Sequence, residues 1–414
     1  MKLIPCVHEK CTGCRACENI CPKNAIEMIK DQKGFLYPQI NQNQCIQCGL
    51  CDKACPHHDN SASTLTEYNH TIKIFGLKNK NEEIRRKSSS GGTFFLLAKN
   101  TIENNGIVYG CILDESIRPV FARADTMNAC LAMMGSKYVQ SDLGTIFNFI
   151  KEDLTVGKKV LFTGTPCQCH GLKYYLSVKK ISTDNLIIAE FLCHGASSPR
   201  AFDDLKQRIE SKYKGKIRSF NFRDKEKVKN PPSSRGMRAF LIPNNEIEIM
   251  SDSNELKMLD IYDPGINDQH FELFKRNYLS RDCCYSCEYI GFDRRAGDIT
   301  FADFWGCETS YPEFFDKGGI SLVLLNSDKG VHEFEEIKDG AHTIEVMRDK
   351  CIQKPLVSSP TKPADFDAFW KSYDENGYVE AAKKYTRKYV AETKRTIIKG
   401  KIKRAVKKVI KSEH

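Results

Sequence analysis

Apolar residues in the middle of this chain gather into short continuous runs, separated by longer stretches at helical spacing. Residues 72–77, 107–113, 160–163, 186–192 and 320–325 read as strands, and 94–104 and 200–213 read as helices. Strands and helices that alternate in this way predict an α/β domain. The first 58 residues differ, because their only apolar runs, 25–29 and 35–37, are too short to build a core unaided. Residues 57–69 are polar and rich in Ser, Thr and Asn, a linker by composition. The segment 225–236, with Pro231-Pro232 near its middle, reads as a charged loop and a candidate lid. Towards the C-terminus Val390, Ile397, Ile398, Ile402, Ala405, Val406, Val409 and Ile410 recur at helical spacing among lysines and arginines, the pattern of a basic amphipathic helix. The expected organisation is therefore 1–58, a linker at 59–71, a main domain at 72–350 with parts at about 72–165 and 166–350, and a helical tail at 351–414.

Charge alters this picture at one end only. The chain carries 63 Lys+Arg and 53 Asp+Glu, a formal +10, but residues 383–414 alone hold 13 of the basic and 2 of the acidic residues, which leaves −1 for everything before them. Such a tail suits an anionic membrane surface or an acidic partner, or a solvated helix that docks on its own domain. Nothing aromatic interleaves with the charges after Tyr389, so nucleic acid is not an expected partner. With 41% hydrophobic and 28% charged residues, the 414-residue chain has the composition of a soluble globular protein of two or three domains. No apolar run is long enough to span a bilayer and no apolar stretch of the secretory kind follows the N-terminus, so a cytoplasmic location is expected.

Nineteen cysteines in such a chain argue for metal ligation rather than disulfides. Two runs share one spacing: Cys11-x2-Cys14-x2-Cys17-x3-Cys21-Pro22 and Cys45-x2-Cys48-x2-Cys51-x3-Cys55-Pro56. That spacing winds a chain around cubane 4Fe-4S clusters, with the fourth thiolate of each run crossing to the other cluster. One cluster would take Cys11, Cys14, Cys17 and Cys55, and the other Cys45, Cys48, Cys51 and Cys21. Structural zinc usually takes its four ligands as two separated pairs, so it fits these runs poorly. The expected fold is thus α+β followed by α/β: a two-cluster ferredoxin-like module, the main domain and the basic C-terminal helix.

The main domain offers weaker signals. Ser88-Ser89-Ser90-Gly91-Gly92-Thr93 precedes an apolar helix start, where free backbone N–H groups can hold phosphate, although Ser and Gly at that position are also ordinary helix caps. No G-x-G-x-x-G occurs, so a standard Rossmann nucleotide site is not supported. Cys167, Cys193, Cys284 and Cys287 lie in polar or Gly-rich contexts, the first two just after predicted strands. They can converge on a third cluster or be buried structural thiols, and spacing alone leaves both open.

Several ordered motifs carry a family resemblance: Gly135-Ser136-Lys137-Tyr138-Val139-Gln140-Ser141, Thr165-Pro166-Cys167-Gln168, Cys193-His194-Gly195, the stretch 281–287, and Asp298-Ile299-Thr300-Phe301-Ala302-Asp303-Phe304-Trp305-Gly306. Together with the N-terminal module, to about residue 326, the chain resembles the family of coenzyme F420 hydrogenase/dehydrogenase beta subunits. The resemblance implies FAD beside a 4Fe-4S cluster in the main domain, with the N-terminal clusters as an electron feed. It implies that Ser90, Gly91, Gly92, Thr93, Gly135, Ser136, Lys137 and Tyr138 hold the FAD. It also makes Cys167, Cys193, Cys284 and Cys287 the ligands of the third cluster; Cys283 and Cys169 depart from the family pattern and are left out. Lys137 would place a positive charge near the flavin or its diphosphate, His194 would relay a proton or hydrogen-bond the cluster, and Asp298 and Asp303 would orient loops or act as salt-bridged core aspartates.

After Asn221-Phe222-Arg223-Asp224-Lys225 the family pattern is lost, so the identity of the substrate is not carried over; Arg223 and Lys225 suit an acidic one. The expected function is an iron-sulfur flavoprotein oxidoreductase that takes electrons from ferredoxin or a partner subunit and gives them to an organic acceptor. Turnover of coenzyme F420 and an electron-relay subunit without a substrate of its own are the alternatives.

Overall fold

The computed structural model of the protein describes residues 8–58, 68–225, 237–243, 258–261 and 263–412. Apart from Lys225, the expected lid at 225–236 lies outside the described residues, as does most of the expected linker. Thirteen strands are described. β1 (Ile26–Lys30) and β2 (Leu36–Ile40) form an antiparallel hairpin; then follow β3 (Lys73–Asn79), β4 (Ile107–Leu113), β5 (Pro119–Ala124), β6 (Val160–Gly164) and β7 (Leu186–Phe191). The chain continues with β8 (Gly215–Asn221), β9 (Arg238–Pro243), β10 (Leu259–Ile261), β11 (Ile299–Asp303), β12 (Ser321–Leu325) and β13 (Ala341–Glu345).

Eight strands make the main sheet in the order β13-β3-β12-β11-β7-β6-β4-β5. Its centre, β4, β6, β7 and β11, is parallel, and the flanking pairs are antiparallel. The continuous apolar sequences have a physical reason: both faces of this sheet are covered. Ile107, Tyr109, Val160, Phe162, Leu186 and Ile188 face one apolar cluster, while Val108, Leu161, Ile187 and Ala189 face another. The two clusters alternate residue by residue, as side chains on a strand must.

The first cluster also contains Cys14, Ala16, Cys17, Ile20, Ile26 and Ala54, so the N-terminal module shares a core with the helices Ile146–Thr155 and Pro166–Lys179. A second sheet, β10-β9-β8, packs with the helices Pro199–Tyr213 and Pro264–Lys275 and the start of the C-terminal helix around Phe202, Leu205, Leu241, Leu273 and Phe369. That helix, Phe366–Ser412, is interrupted at Gly377, which has φ 79° and ψ 165°. The backbone of the basic segment is helical as expected; its side chains beyond Ala391 lie outside the described residues. Among the described residues no helix is long and apolar enough to cross a membrane.

Candidate iron-sulfur and cofactor sites

Residues with positive φ turn each cysteine run inward. Gly13 (φ 69°) and Arg15 (φ 59°) sit between the first three thiols of one run, and Gln47 (φ 54°) and Gly49 (φ 69°) between those of the other. A Cβ on Gly13 would also lie 2.9 Å from Gln140 Nε2 and 3.0 Å from Arg281 Nη1, so glycine is needed there for fit as well as for backbone conformation. Two hollows result. One is lined by Cys11, Cys14, Cys17 and Cys55, and the other by Cys21, Cys45, Cys48 and Cys51. These are the two crossed groups of four that the spacing calls for. Cys48 is exposed, whereas Cys11, Cys14, Cys17 and Cys55 are buried, so the second hollow is the outer one.

Among the described residues no three His, Cys, Asp or Glu side chains close on a single metal ion; the thiols ring a space instead. Burial pushes the Cys14 thiol up to about 12, and the neighbouring Cys55 adds to the rise. Burial likewise pushes Cys51 up to about 12. Thiols this dry and this crowded become thiolates around a cationic core, and a ring of four soft sulfurs fits a cubane.

A third group of thiols gathers at the C-terminal edge of the parallel strands. Cys167 opens the helix that follows β6, Cys193 follows β7, and Cys284 and Cys287 belong to the turn around Asp282–Ser286. Burial lifts Cys193 well above the usual thiol range, and Cys284, Cys167 and Cys287 each raise it further, which puts all four within electrostatic reach. Backbone N–H groups already serve two of them: Gly195 N donates to Cys193 Sγ and Ala196 N to Cys284 Sγ, both at 3.4 Å. Cys283 donates to Cys284 and holds it below the usual thiol range. Cys169 is buried in the core instead. The helix that bears Cys167 also carries Gly171, where a Cβ would lie 2.8 Å from Cys14 Sγ. The first hollow and the third group are thus neighbours across one helical turn, with the buried Tyr289 close enough to feel both Cys167 and Cys14.

The two loops expected to hold FAD meet. Ser136 donates from N (2.7 Å) and Oγ (2.9 Å) to Ser89 Oγ. Ser90 Oγ donates to Ile320 O at 2.6 Å and Gly91 N to Ser321 Oγ at 2.9 Å, so this loop is tied to the ends of β11 and β12. Gly92 (φ 91°) caps the helix Thr93–Glu103 without a side-chain bond. Beside it the Asn79 side-chain nitrogen and the Thr93 hydroxyl are buried with no hydrogen-bond partner among the described residues. Orphaned donors at an uncapped helix start fit a phosphate. Lys137 points elsewhere: its ammonium donates to the carbonyls of Ala132, Met133 and Met134, and burial lowers it to about 8. Gly135 (φ 81°) borders open space.

Asp303 and His194 come together at the end of β11. The imidazole of His194 is pulled down by burial, feels the Asp303 charge, and lies 5.0 Å from the Trp305 ring. Asp303 pairs with Arg223, which also hydrogen-bonds Tyr138. Lys137 is not part of this group. Asp298 accepts from Ile188 N at 2.9 Å and from the Ser327 hydroxyl at 2.7 Å, the role of a core aspartate. Lys225 Nζ donates to the carbonyls of Arg85, Ser90 and Gly318, closing the Ser-Gly loop from the other side.

Comparison with known proteins finds two matching family models. Residues 157–349 match the family model for the C terminus of the coenzyme F420 hydrogenase/dehydrogenase beta subunit, and residues 10–58 match a 4Fe-4S dicluster domain. Over those residues the main domain is similar to the C-terminal part of that family of beta subunits. The chain is 24% identical to the F subunit of the F(420)H(2) dehydrogenase of Methanosarcina mazei over 195 residues, 45% of this chain and 54% of that protein. It is 38% identical to a polyferredoxin-like protein of Methanocaldococcus jannaschii over 58 residues, 12% of this chain and 34% of that one. The match thus spans about half the length of the first relative and a third of the second. A chain of the F420-reducing NiFe hydrogenase complex from Methanosarcina barkeri is similar at 15% identity, covering 78% of this chain and 93% of that one, with a TM-score of 0.40.

Asn79, Ser89, Ser321, Gln140 and Arg281 hold these sites together, yet none was singled out for such a role by the sequence. Each acts across a long stretch of chain and leaves no local pattern. Arg281, Gln140 and Ser89 did stand inside quoted motifs, 281–287, 135–141 and 88–93, but only as neighbours of the residues those motifs singled out.

Proposed function

We propose that the chain is an iron-sulfur flavoprotein oxidoreductase that takes electrons from ferredoxin or a partner subunit and delivers them to an organic acceptor. One observation carries the reading. Thiols form three successive groups of four, running from an exposed ligand at Cys48 to the C-terminal edge of the parallel strands, where α/β sheets bind their ligands. When bound, 4Fe-4S clusters supply one-electron carriage and FAD supplies exchange of electron pairs with an organic molecule.

The chain's own residues do the rest. Cys11, Cys14, Cys17 and Cys55 would hold one cluster, Cys21, Cys45, Cys48 and Cys51 a second, and Cys167, Cys193, Cys284 and Cys287 a third. Ile46, 56% exposed beside Cys48, offers an apolar contact to a donor. Asn79, Thr93 and the N–H groups after Gly92 would take the diphosphate of FAD, Ser90 and Ser136 fix the loops around it, and Lys137 holds the Gly135 turn in place. His194, kept neutral by burial and set against Trp305 and Asp303, is placed to hold or hand over a proton at an imidazole nitrogen. Arg223 and Asp303 form the polar floor of that corner.

Anaerobic purification with iron, sulfide and flavin quantification tests the reading: about twelve irons and one FAD per chain are expected. A colourless or zinc-loaded protein would refute it. A relay-subunit reading is favoured by one observation, that the Methanosarcina mazei relative is a dehydrogenase subunit. A flavin reduced by ferredoxin but reoxidised only on addition of a second protein would select it, and bleaching of coenzyme F420 by the chain alone would select that coenzyme as acceptor. The basic tail would add contact with an anionic membrane, checked by vesicle sedimentation with and without residues 383–414.

A further inference from the structure

Arg281 and Arg295 are the largest fully buried side chains described, and Arg281 is wedged between the N-terminal module and the main domain. Its Nε donates to Cys11 O at 2.7 Å, Nη1 to Gln140 Oε1 at 2.8 Å, and Nη2 to Leu36 O at 2.8 Å and towards Cys11 Sγ at 3.6 Å. The guanidinium carbon lies 4.0 Å from the centroid of the Tyr37 ring. Three of these acceptors are neutral carbonyl oxygens, and the fourth is the Cys11 sulfur. Among the described residues no carboxylate pairs with Arg281, whereas Arg295, also fully buried, has Glu190 at 3.3 Å. An arginine cannot shed its charge, so a buried one needs an anion close by. The acidic groups that Arg281 feels are Cys11, Tyr37, Cys283 and Cys284. Cys11 belongs to the first hollow and Cys284 to the third group of thiols, so the cation stands between two of the sites.

We propose that Arg281 is a fixed counter-charge for the cluster held through Cys11, favouring its reduced form, and that it links this cluster electrostatically to the site at Cys284. The inference rests on the cluster reading above. Reduction adds one electron, supplied by the donor, and no proton; a permanent cation beside the ligand sulfur stabilises the added negative charge and makes the potential less negative.

The test is an EPR-monitored redox titration of the anaerobically purified full chain, with iron content measured on each sample. In Arg281→Gln one cluster should show about a tenfold lower ratio of reduced to oxidised form at a fixed poise, which is 59 mV for one electron. Arg281→Lys, which keeps the charge, and Gln140→Leu, which cuts both the Gln140 Nε2 to Thr12 O bond and the bond Gln140 accepts from Arg281 but leaves the cation and its bonds to Cys11 and Leu36, should leave the potential near that of the wild type. An Arg281→Gln protein without iron beside an iron-replete, normally poised Arg281→Lys protein supports the charge equally. The proposal is overturned by unchanged potentials in iron-replete Arg281→Gln, by equal shifts in Arg281→Gln and Gln140→Leu, or by loss of iron in both arginine variants. A wild-type chain without iron would refute the cluster reading itself, and the wild-type iron count tells the two failures apart.

Discussion

Gly91 has no room for a side chain: a Cβ there would lie 2.1 Å from Leu77 O and 2.4 Å from Ser321 N. Gly91→Ala must therefore push the Ser-Gly loop off the ends of β3 and β12, weakening the bond from Ser90 to Ile320. Overpacking of this kind costs about 1–3 kcal/mol, so denaturant titration should show a loss of that order together with a fall in bound FAD. Cys193→Ser tests the third group in the same way. It should remove about four irons per chain and leave the EPR signals of the N-terminal clusters in place. The twelve thiols differ in how far they could be read from sequence. Eight lie in runs whose spacing is set by chain-local winding through Gly13, Arg15, Gln47 and Gly49, so the pattern is visible without a fold. Cys167, Cys193, Cys284 and Cys287 meet only because β6, β7 and the 282–286 turn end at one edge, and there family resemblance was needed.

Elements were legible where burial was complete. The strand expected at 107–113 is β4 residue for residue, buried over Ile107–Gly110 and half-buried beyond, because a strand largely covered on both faces is apolar. β8, with the sequence GKIRSFN, and the half-exposed β13 escaped notice, since charged residues alternate into them and the runs are broken. The second sheet and its helices hold a titratable group that makes this part of the fold acid-sensitive. His270, on the helix Pro264–Lys275, is buried against Tyr378, with Nδ1 and the phenol oxygen 2.9 Å apart, and burial lowers its pKa from 6.5 to about 4. Between those values the unfolded chain takes up a proton that the folded chain does not, so stability falls as pH falls through this window. From pH 7.5 to 5.5 the loss should be about 1 kcal/mol, and thermal melts of His270→Gln should lack that part of the slope while the wild type keeps it.

At the scale of the molecule, the polar stretch after residue 58 suggested a separate N-terminal module on a tether, yet the two parts share a core. Cys14, Ala16 and Ile20 belong to the same apolar cluster as Phe147, Phe162 and Tyr175, and Arg281 and Gln140 bind the Cys11–Gly13 loop from the far side. The module brings little of its own to this union. Among the described residues its sheet is the β1–β2 hairpin alone, and a lone hairpin is marginal in water. Its helices, Ala16–Ile20 and Leu50–Lys53, are about one turn each. Iron should therefore be what folds it, and docking what locates it. Anaerobic removal of iron by chelation is expected to abolish amide protection across residues 8–58 and to lower it on the helices Ile146–Thr155 and Pro166–Lys179, whose apolar faces the module covers. Protection in β3, β11 and β12 should persist, because their cores lie on other surfaces of the sheet. Hydrogen exchange followed by mass spectrometry distinguishes the cases. If residues 8–58 stay protected without iron, the shared core holds the module; if the central strands open with it, the two parts form a single cooperative unit.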